Sequence, residues 1–368
     1  MKINLFKLMH GCCAPDAGTL VNTTQNYVNA YDGSTTAFAA PNDLSSLMKT
    51  YYDTELLENA RPNLIHAQFA RKQPLPKGRG KKVEWRKFNT LADASALTEG
   101  VIPTGQKFGQ SSMTASILQY GTYLTVSDQL ELHAIDNVIL SATEELGASA
   151  GTTQDKIVRD TLAAGTTVQY CDKVSAAGAH TAVETRAGMD TTSKLTPTEV
   201  NKAVTTLKKL KAPTINGKYV AIIHPSVSYD LRENKEWIEA HKYAAVTPLF
   251  TGEIGELHGV RFIETTEAKI WNNNTCPVKT AAGSGGTPAA TYYSVYSTLF
   301  LGKDAFGMID PEGGGLEMIV KSKEQAGGPL NQFSTLGYKF STATKILYQD
   351  RMVRVESLSE YSGTDEAN

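Results

Sequence analysis

The chain has 368 residues, 36 Lys plus Arg against 38 Asp plus Glu, and a formal charge of -2. With 41% hydrophobic and 20% charged residues it can bury a core of two or three folding units, which excludes intrinsic disorder. No run approaches the roughly 18 consecutive apolar residues of a membrane span, and four cysteines (Cys12, Cys13, Cys171, Cys276) are too few and too scattered for a disulfide framework.

Charge is unevenly placed. Arg71 to Lys87, RKQPLPKGRGKKVEWRK, holds eight basic residues and one acid, Glu84, which leaves 28 basic and 37 acidic residues elsewhere. A segment at +7 thus sits on a body at -9. Such asymmetry suits nucleic-acid contact, or docking of one copy's basic loop on another copy's acidic surface.

In chain order, Met1 to Leu8 is basic without an apolar run of secretory length, and Thr23 to Ala40 has the Thr, Asn, Ala, Gly and Ser composition of an extended arm ordered by a partner. A helix is predicted from Asn42 or Asp43, with Leu44, Leu47, Met48 and Tyr51 at helical spacing and Pro62 as its stop. Pro74, Pro76, Gly78 and Gly80 then forbid a helix. Lys81 to Phe88 reads as a strand with Val83 and Trp85 on one face, and Met113 to Val126 as a second strand. Over twenty residues of poor periodicity lie between them, so Arg71 to Ser127 reads as one long projecting hairpin.

Leu132, Ile135, Ile139, Ala142, Leu146, Ala150, Thr153, Ile157 and Thr161 step by threes and fours, with Asp136, Glu144, Gln154, Asp155 and Arg159 on the other side. This predicts one amphipathic helix from Leu132 to Ala164, roughly 50 Å long, weakened at Gly147 and Gly151. Beyond Gly165 a mixed α/β region begins. Thr196 to Glu199 reads as a capping box, followed by the stripe Val200, Ala203, Val204, Leu207 and Leu210. Tyr219 to Ile223 is an apolar strand closed by His224 and Pro225, with helices through Tyr229 to Leu231 and around Trp237 and Ile238. Further strands are Val260 to Glu264, Tyr292 to Leu301, Leu316 to Val320, Tyr338 to Tyr348 and Arg351 to Glu356. Lys279 to Thr291 reads as a flexible connection, and the polar tail after Ser359 as loose.

Catalytic motifs are missing. Gly217-Lys218 lacks the rest of a phosphate loop, and Gly283 to Gly286 does not lie between a strand and a helix. His10, His66, His133, His180, His224, His241 and His258 show no metal-ligand spacing, and no CxxC occurs. His224, at a strand end, reads as a turn residue rather than a catalytic one. Glu233, Glu236 and Glu239 read as a solvated helix face beside Lys235 and Lys242. No catalytic residue, metal site or cofactor is expected.

The order of parts resembles that of the major capsid proteins of tailed bacteriophages. In wording, YYDTELLENARPNLIHAQFARKQPLPKGRGKKVEWRKF, ALTEGVIPTG, YVAIIHPSVSYDLREN and GYKFSTATKILYQDRMVRVES look like the family typified by the coliphage N-four shell. The resemblance covers roughly Thr24 to Ser357. It leaves Cys12, Cys13 and the insert Gly283 to Pro288 unassigned. It implies an α+β, herpesvirus-type capsid fold with an N-terminal arm (1–41), a helical segment (42–70), an extended loop (71–127), a peripheral domain with a spine helix (128–170), an axial domain (171–330) and return strands with a tail (331–368). It implies hexamers and pentamers closing an icosahedral shell around double-stranded DNA in the virion, after synthesis in the host cytoplasm, with portal and decoration proteins as partners and no membrane.

No charged helical segment of fused-scaffold type precedes Asn42, so a separate scaffolding protein is expected. Arg71, Lys72, Lys77, Arg79, Lys81, Lys82, Trp85 and Arg86 would make the intersubunit contact. The runner-up is a nucleic-acid-binding protein that uses the same basic segment with Trp85 as a stacking platform. An enzyme with an unrecognised site stands third.

Overall fold

The computed structural model describes residues 65–78, 80–89, 91–94, 96–97, 99–100, 102, 105–133, 138–175, 178–241, 253–280, 291–326 and 330–368. The predicted arm, the helix after Asn42, Cys12, Cys13, Arg79 and most of the Gly-rich connection lie outside them. In chain order the principal strands are β1 (Arg71–Leu75), β2 (Lys82–Phe88), β3 (Gln110–Ser116), β4 (Leu118–Ser127), β5 (Val168–Tyr170), β6 (Tyr219–Ile223), β7 (Glu253–Leu257), β8 (Val260–Glu264), β9 (Val295–Leu301), β10 (Phe306–Pro311), β11 (Glu317–Lys321), β12 (Phe333–Ile346) and β13 (Met352–Ser357). The helices are α1 (Asp128–His133), α2 (Val138–Ala163), α3 (Pro197–Lys209), α4 (Pro225–Arg232) and α5 (Lys235–His241). The chain divides into two compact units, with boundaries inside α2 and β12.

The described residues of the smaller unit lie within 119–152 and 313–341. In it β12 pairs antiparallel with β11, Glu317 opposite Lys339 through Lys321 opposite Thr335, and also pairs with β4. Two glycines permit the close approach of β4 and β12. A Cβ on Gly121 would lie 2.5 Å from the Tyr338 carbonyl oxygen, and one on Gly337 would lie 2.7 Å from Tyr123 Cβ. The Tyr338 hydroxyl meets Ser149 Oγ of α2 at 3.1 Å, and Thr143, Leu146 and Ala150 of that helix are buried.

The larger unit comprises residues 64–118, 153–312 and 342–368. Its main sheet runs β5-β13-β9-β6-β8-β7, with Ile270–Trp271 also on β9. Its pairing is mixed: β6 with β8 and β13 with β5 are parallel, the rest antiparallel. Both faces are covered, which explains why Tyr219 to Ile223 is apolar throughout. Tyr219, Ala221 and Ile223 join Val200, Leu207, Leu231, Trp237, Phe262 and Phe300 in the core under α3, α4 and α5. Val220 and Ile222 face the other way, with Val158 and Leu162 of α2 and Phe69, Phe306 and Met352.

Several expectations need correction. The predicted helix is described on both sides of residues 134–137, which lie outside the described set: α1 runs to His133 and α2 has 26 residues, about 39 Å at 1.5 Å per residue. Leu132, assigned to the apolar stripe, is 77% exposed. Asp155 and Arg159, assigned to the polar side, are buried because each has a partner distant in sequence. Asp155 accepts the His66 amide at 2.8 Å and lies 2.6 Å from His66 Nδ1. Arg159 donates to Asp160 and to the Glu267 carbonyl. The capping box does not close: Thr196 caps α3 without a side-chain bond, since Glu199 instead accepts from Gln169 and Lys202. Leu210 lies beyond the last buried turn of α3 and is exposed.

The tail after Ser359 is packed, not loose. Asp365 accepts from Tyr296 Oη at 2.6 Å and Ser226 Oγ at 3.3 Å, and its carbonyl accepts from Ser294 Oγ. Burial and that carboxylate both push the Tyr296 phenol well above its usual range. Asn368 accepts from the Ile270 amide and donates to the Ala268 carbonyl.

A buried charge cluster joins β13 to the end of α2. The Glu356 side chain is fully buried. It accepts from Arg186 at 2.6 and 2.8 Å and lies 2.9 Å from Arg354 Nε. Arg354 also donates to the Ala163 and Gly165 carbonyls, groups that a helix end leaves without partners. Glu356→Ala strands two arginines and is expected to cost about 3–5 kcal/mol, read as a lowered midpoint in urea unfolding followed by circular dichroism.

Candidate assembly surface

The basic segment is divided among three settings. Arg71 and Lys72 lie exposed on β1, which pairs parallel with β10, Arg71 opposite Gly307 through Leu75 opposite Pro311. The edge position of β1 accommodates Pro74. Arg71 to Ser127 is therefore not one hairpin. β1 belongs to a sheet edge and β4 pairs with β12, so the hairpin is β2 with β3, Lys82 opposite Ser116 through Phe88 opposite Gln110. The single strand expected from Met113 to Val126 is two, broken at Ile117, whose amide bonds back to the Lys81 carbonyl.

Lys77 and Lys81 lie exposed in the connection before the hairpin, where Gly78 and Gly80 take φ of +80° and +90°. The Lys77 amide donates to Glu312 at 3.4 Å. On β2 the side chains alternate: Lys82, Glu84 and Arg86 are exposed, Val83 and Trp85 buried. Arg86 and Glu84 lie 3.6 Å apart, a surface pair of little net energy. Of the eight predicted contact residues, Arg71 and Lys72 thus lie on β1, Lys82 and Arg86 on β2, and Lys77 and Lys81 in the connection between them, while Arg79 is outside the described residues.

Trp85 does not share their setting. It packs with Val83, Ala115, Ile309, Ala343 and Leu347, and a Cβ on Gly307 would come within 3.2 Å of its ring. Trp85 is the anchor of the hairpin in its own subunit. Its ring is not available as a stacking platform, which removes the chief support for the nucleic-acid reading.

Beyond the anchored base the hairpin carries large apolar side chains that stand exposed. Phe88 and Phe108 stack on each other at 4.8 Å between ring centroids, and both are exposed, as are Leu91 and Leu97, with Ile102 at 93%; Leu118, at the start of β4, is exposed as well. Six of the fourteen large hydrophobic side chains that stand exposed among the described residues lie between 88 and 118. Exposed apolar side chains concentrated in one segment are the kind of surface that protein, membrane or ligand contacts use. Sequence periodicity missed these residues because the segment has none; the apolar side chains within an irregular loop were the available signal.

The groups with catalytic potential have structural roles. His224 caps α4, its Nδ1 accepting the Ser226 amide at 3.2 Å. Asp172, His180 and Glu199 bring ligand atoms within 4.8 Å of one another, but the Lys202 ammonium already bonds Asp172 and Glu199. Burial alone would lower its pKa; the two carboxylates overcome this and hold the ammonium above its usual value. Burial pushes the Cys171 thiol up, away from the reactive thiolate.

Solved structures with the same fold include the capsid of Ralstonia phage GP4, with a TM-score of 0.56, 12% identity, and coverage of 79% of this chain and 87% of that one. The head structure of Helicobacter pylori bacteriophage KHP40 gives a TM-score of 0.55, 11% identity, and coverage of 78% and 87%. The cyanophage Pam1 capsid asymmetric unit gives 0.54, 12%, and coverage of 77% and 86%. The architecture is the α+β capsid fold of tailed phages. The family model described as phage capsid protein matches residues 47–326, and the chain belongs to that family of structural proteins. Comparison with curated proteins returns no match.

One consequence concerns pH. Burial holds the His224 imidazole below its ordinary 6.5, with Asp365 and Glu264 opposing. Protonating Nδ1 would also remove the cap acceptor. A depressed histidine pKa gives stability that is complete above the unfolded value and declines as pH falls below it. The urea midpoint is expected to drop as pH falls through about 6.5, and His224→Asn, which retains a cap acceptor, should flatten that part of the profile.

Proposed function

We propose that this chain is the major capsid protein of a tailed phage of the coliphage N-four type, forming the hexamers and pentamers of an icosahedral shell around double-stranded DNA. The observation that carries this reading is the β2–β3 hairpin, fixed at its base by Trp85, cationic on its outer face and apolar beyond Phe88. A second copy of the chain is the occupant that covers such a surface in every subunit. Acidic groups of the neighbour would meet Lys77, Arg79, Lys81 and Lys82, giving register even where net affinity is small.

On this reading residues 1–41 form the arm, 71–127 the extended loop, 128–170 the peripheral domain with α2 as spine, and 171–330 the axial domain, with 42–70 leading into the loop and 331–368 returning to the peripheral domain. Synthesis takes place in the bacterial cytoplasm and the product resides in the virion. Portal and decoration proteins and packaged DNA are neighbours, and a near-neutral charge of -2 avoids strong adsorption of that DNA. Scaffolding is supplied by a separate protein, so the purified chain alone should give no closed shells in negative-stain micrographs.

Changing Lys77, Arg79, Lys81 and Lys82 together to Glu should stop shell closure while the fold is kept, each change at the exposed Lys77, Lys81 and Lys82 shifting stability by no more than about 0.5 kcal/mol. Normal shells from that variant in electron micrographs would refute the proposed contact.

A further inference from the structure

Two surfaces of the larger unit carry complementary charge. At the end of α3, Lys208, Lys209 and Lys211 are exposed around Leu210, which is itself 40% exposed. Lys211 sits at a φ of +56°, ending the helix and turning the chain toward β6. On α5, Glu236 and Glu239 are exposed around Ile238, which is 54% exposed, while Trp237 is buried and anchors that helix. Among the described residues none of these three lysines and neither glutamate makes an ion pair. One surface is an apolar side chain framed by cations; the other is an apolar side chain beside two anions, with the single cation Lys235 at the start of the helix.

Their placement matters as much as their charge. α3 lies against β13 and α5 against β7, and the sheet order puts β9, β6 and β8 between those strands. Opposite patches near opposite edges of one sheet do not meet within a single copy. Between copies they generate a head-to-tail contact, the kind that closes into rings under rotation. Complementary charge sets orientation, and the central Leu210 and Ile238 supply the apolar contact that excludes water.

The geometry points to the Lys208–Lys211 end of α3 docking on the Glu236–Glu239 face of α5 in a neighbouring copy. This rests on the shell reading and extends it to a second interface, separate from the hairpin. The partner is a copy of the same chain; the phosphate backbone of DNA is the other polyanion that three lysines fit, and the experiment distinguishes them.

Phage genomes carrying three versions of the gene would be compared by negative-stain counting of shells. The first carries Lys208→Glu, Lys209→Glu and Lys211→Glu, the second Glu236→Lys and Glu239→Lys, and the third all five changes. Each partial reversal places like charges together and is expected to lower shell yield at least about tenfold, with the combined variant returning most of it. Every changed side chain is exposed, and thermal unfolding of each purified protein checks that the fold is kept; neutral Lys→Gln and Glu→Gln versions serve where a reversed one does not fold. Normal yields from either partial variant, or no recovery in the combined one, overturn the inference. Full shells in normal number that hold less DNA in the lysine variant overturn it in favour of a DNA contact. Shells from a genome lacking the gene would instead overturn the shell reading itself.

Discussion

The buried carboxylate of Glu356 is the point on which the larger unit depends. It lies on β13 with no exposure and is held by two arginines from different parts of the chain, Arg186 and Arg354. A charge removed from water is tolerable only with such partners, so burying Glu356 obliges the 186 turn to stay closed over β13. Arg186 also stacks on Trp271, its guanidinium 3.9 Å from the ring centroid. Arg354 carries the constraint further, because its other donors take carbonyls at the end of α2. The helix end, the sheet and the turn are therefore fixed by one cluster, and the hydrophobic layers on either face are packed around it.

How much of this was legible follows from the range of the interactions. The strand Tyr219 to Ile223 and the stripe of α3 were plain, since continuous burial and helical spacing are local patterns. The polar side of α2 was misread because Asp155 and Arg159 are charged in composition but buried in fact. Their partners, His66 and Glu267, are 89 and 108 positions away, and no periodicity carries such distances. The capping box failed for a related reason: Glu199 had stronger claims from Gln169 and Lys202 than from its own helix end. The tail looked loose because its composition is polar, yet Asp365 is the partner a buried tyrosine hydroxyl requires.

The assembly surface was half legible. A surplus of seven positive charges in seventeen residues is visible to simple counting, and the structure leaves Arg71, Lys72, Lys77, Lys81, Lys82 and Arg86 on the surface. Trp85 alternates with them along the strand and so lies on the opposite face. The pattern that predicted a strand already implied this, whereas the stacking reading required the ring to face outward. The apolar tip escaped because a loop without period offers no face to assign, and only solvent exposure shows that Phe88, Ile102 and Phe108 stand at the surface.

A subunit that must remain dispersed as it is made and then associate with many copies faces conflicting demands. Large apolar faces would favour association but also indiscriminate aggregation. Here the exposed apolar side chains are few, and Leu210 on α3 stands among cations while Ile238 on α5 stands beside Glu236 and Glu239. A wrong pairing then places like charges together and is penalised, while the right one gains both terms. A total near zero lets copies approach without general repulsion. On the proposed contacts, selectivity would come from separating the cations of Arg71 to Lys87 and of Lys208 to Lys211 from the anions of α5, and a charge of -2 in sum would direct assembly through the way it is divided.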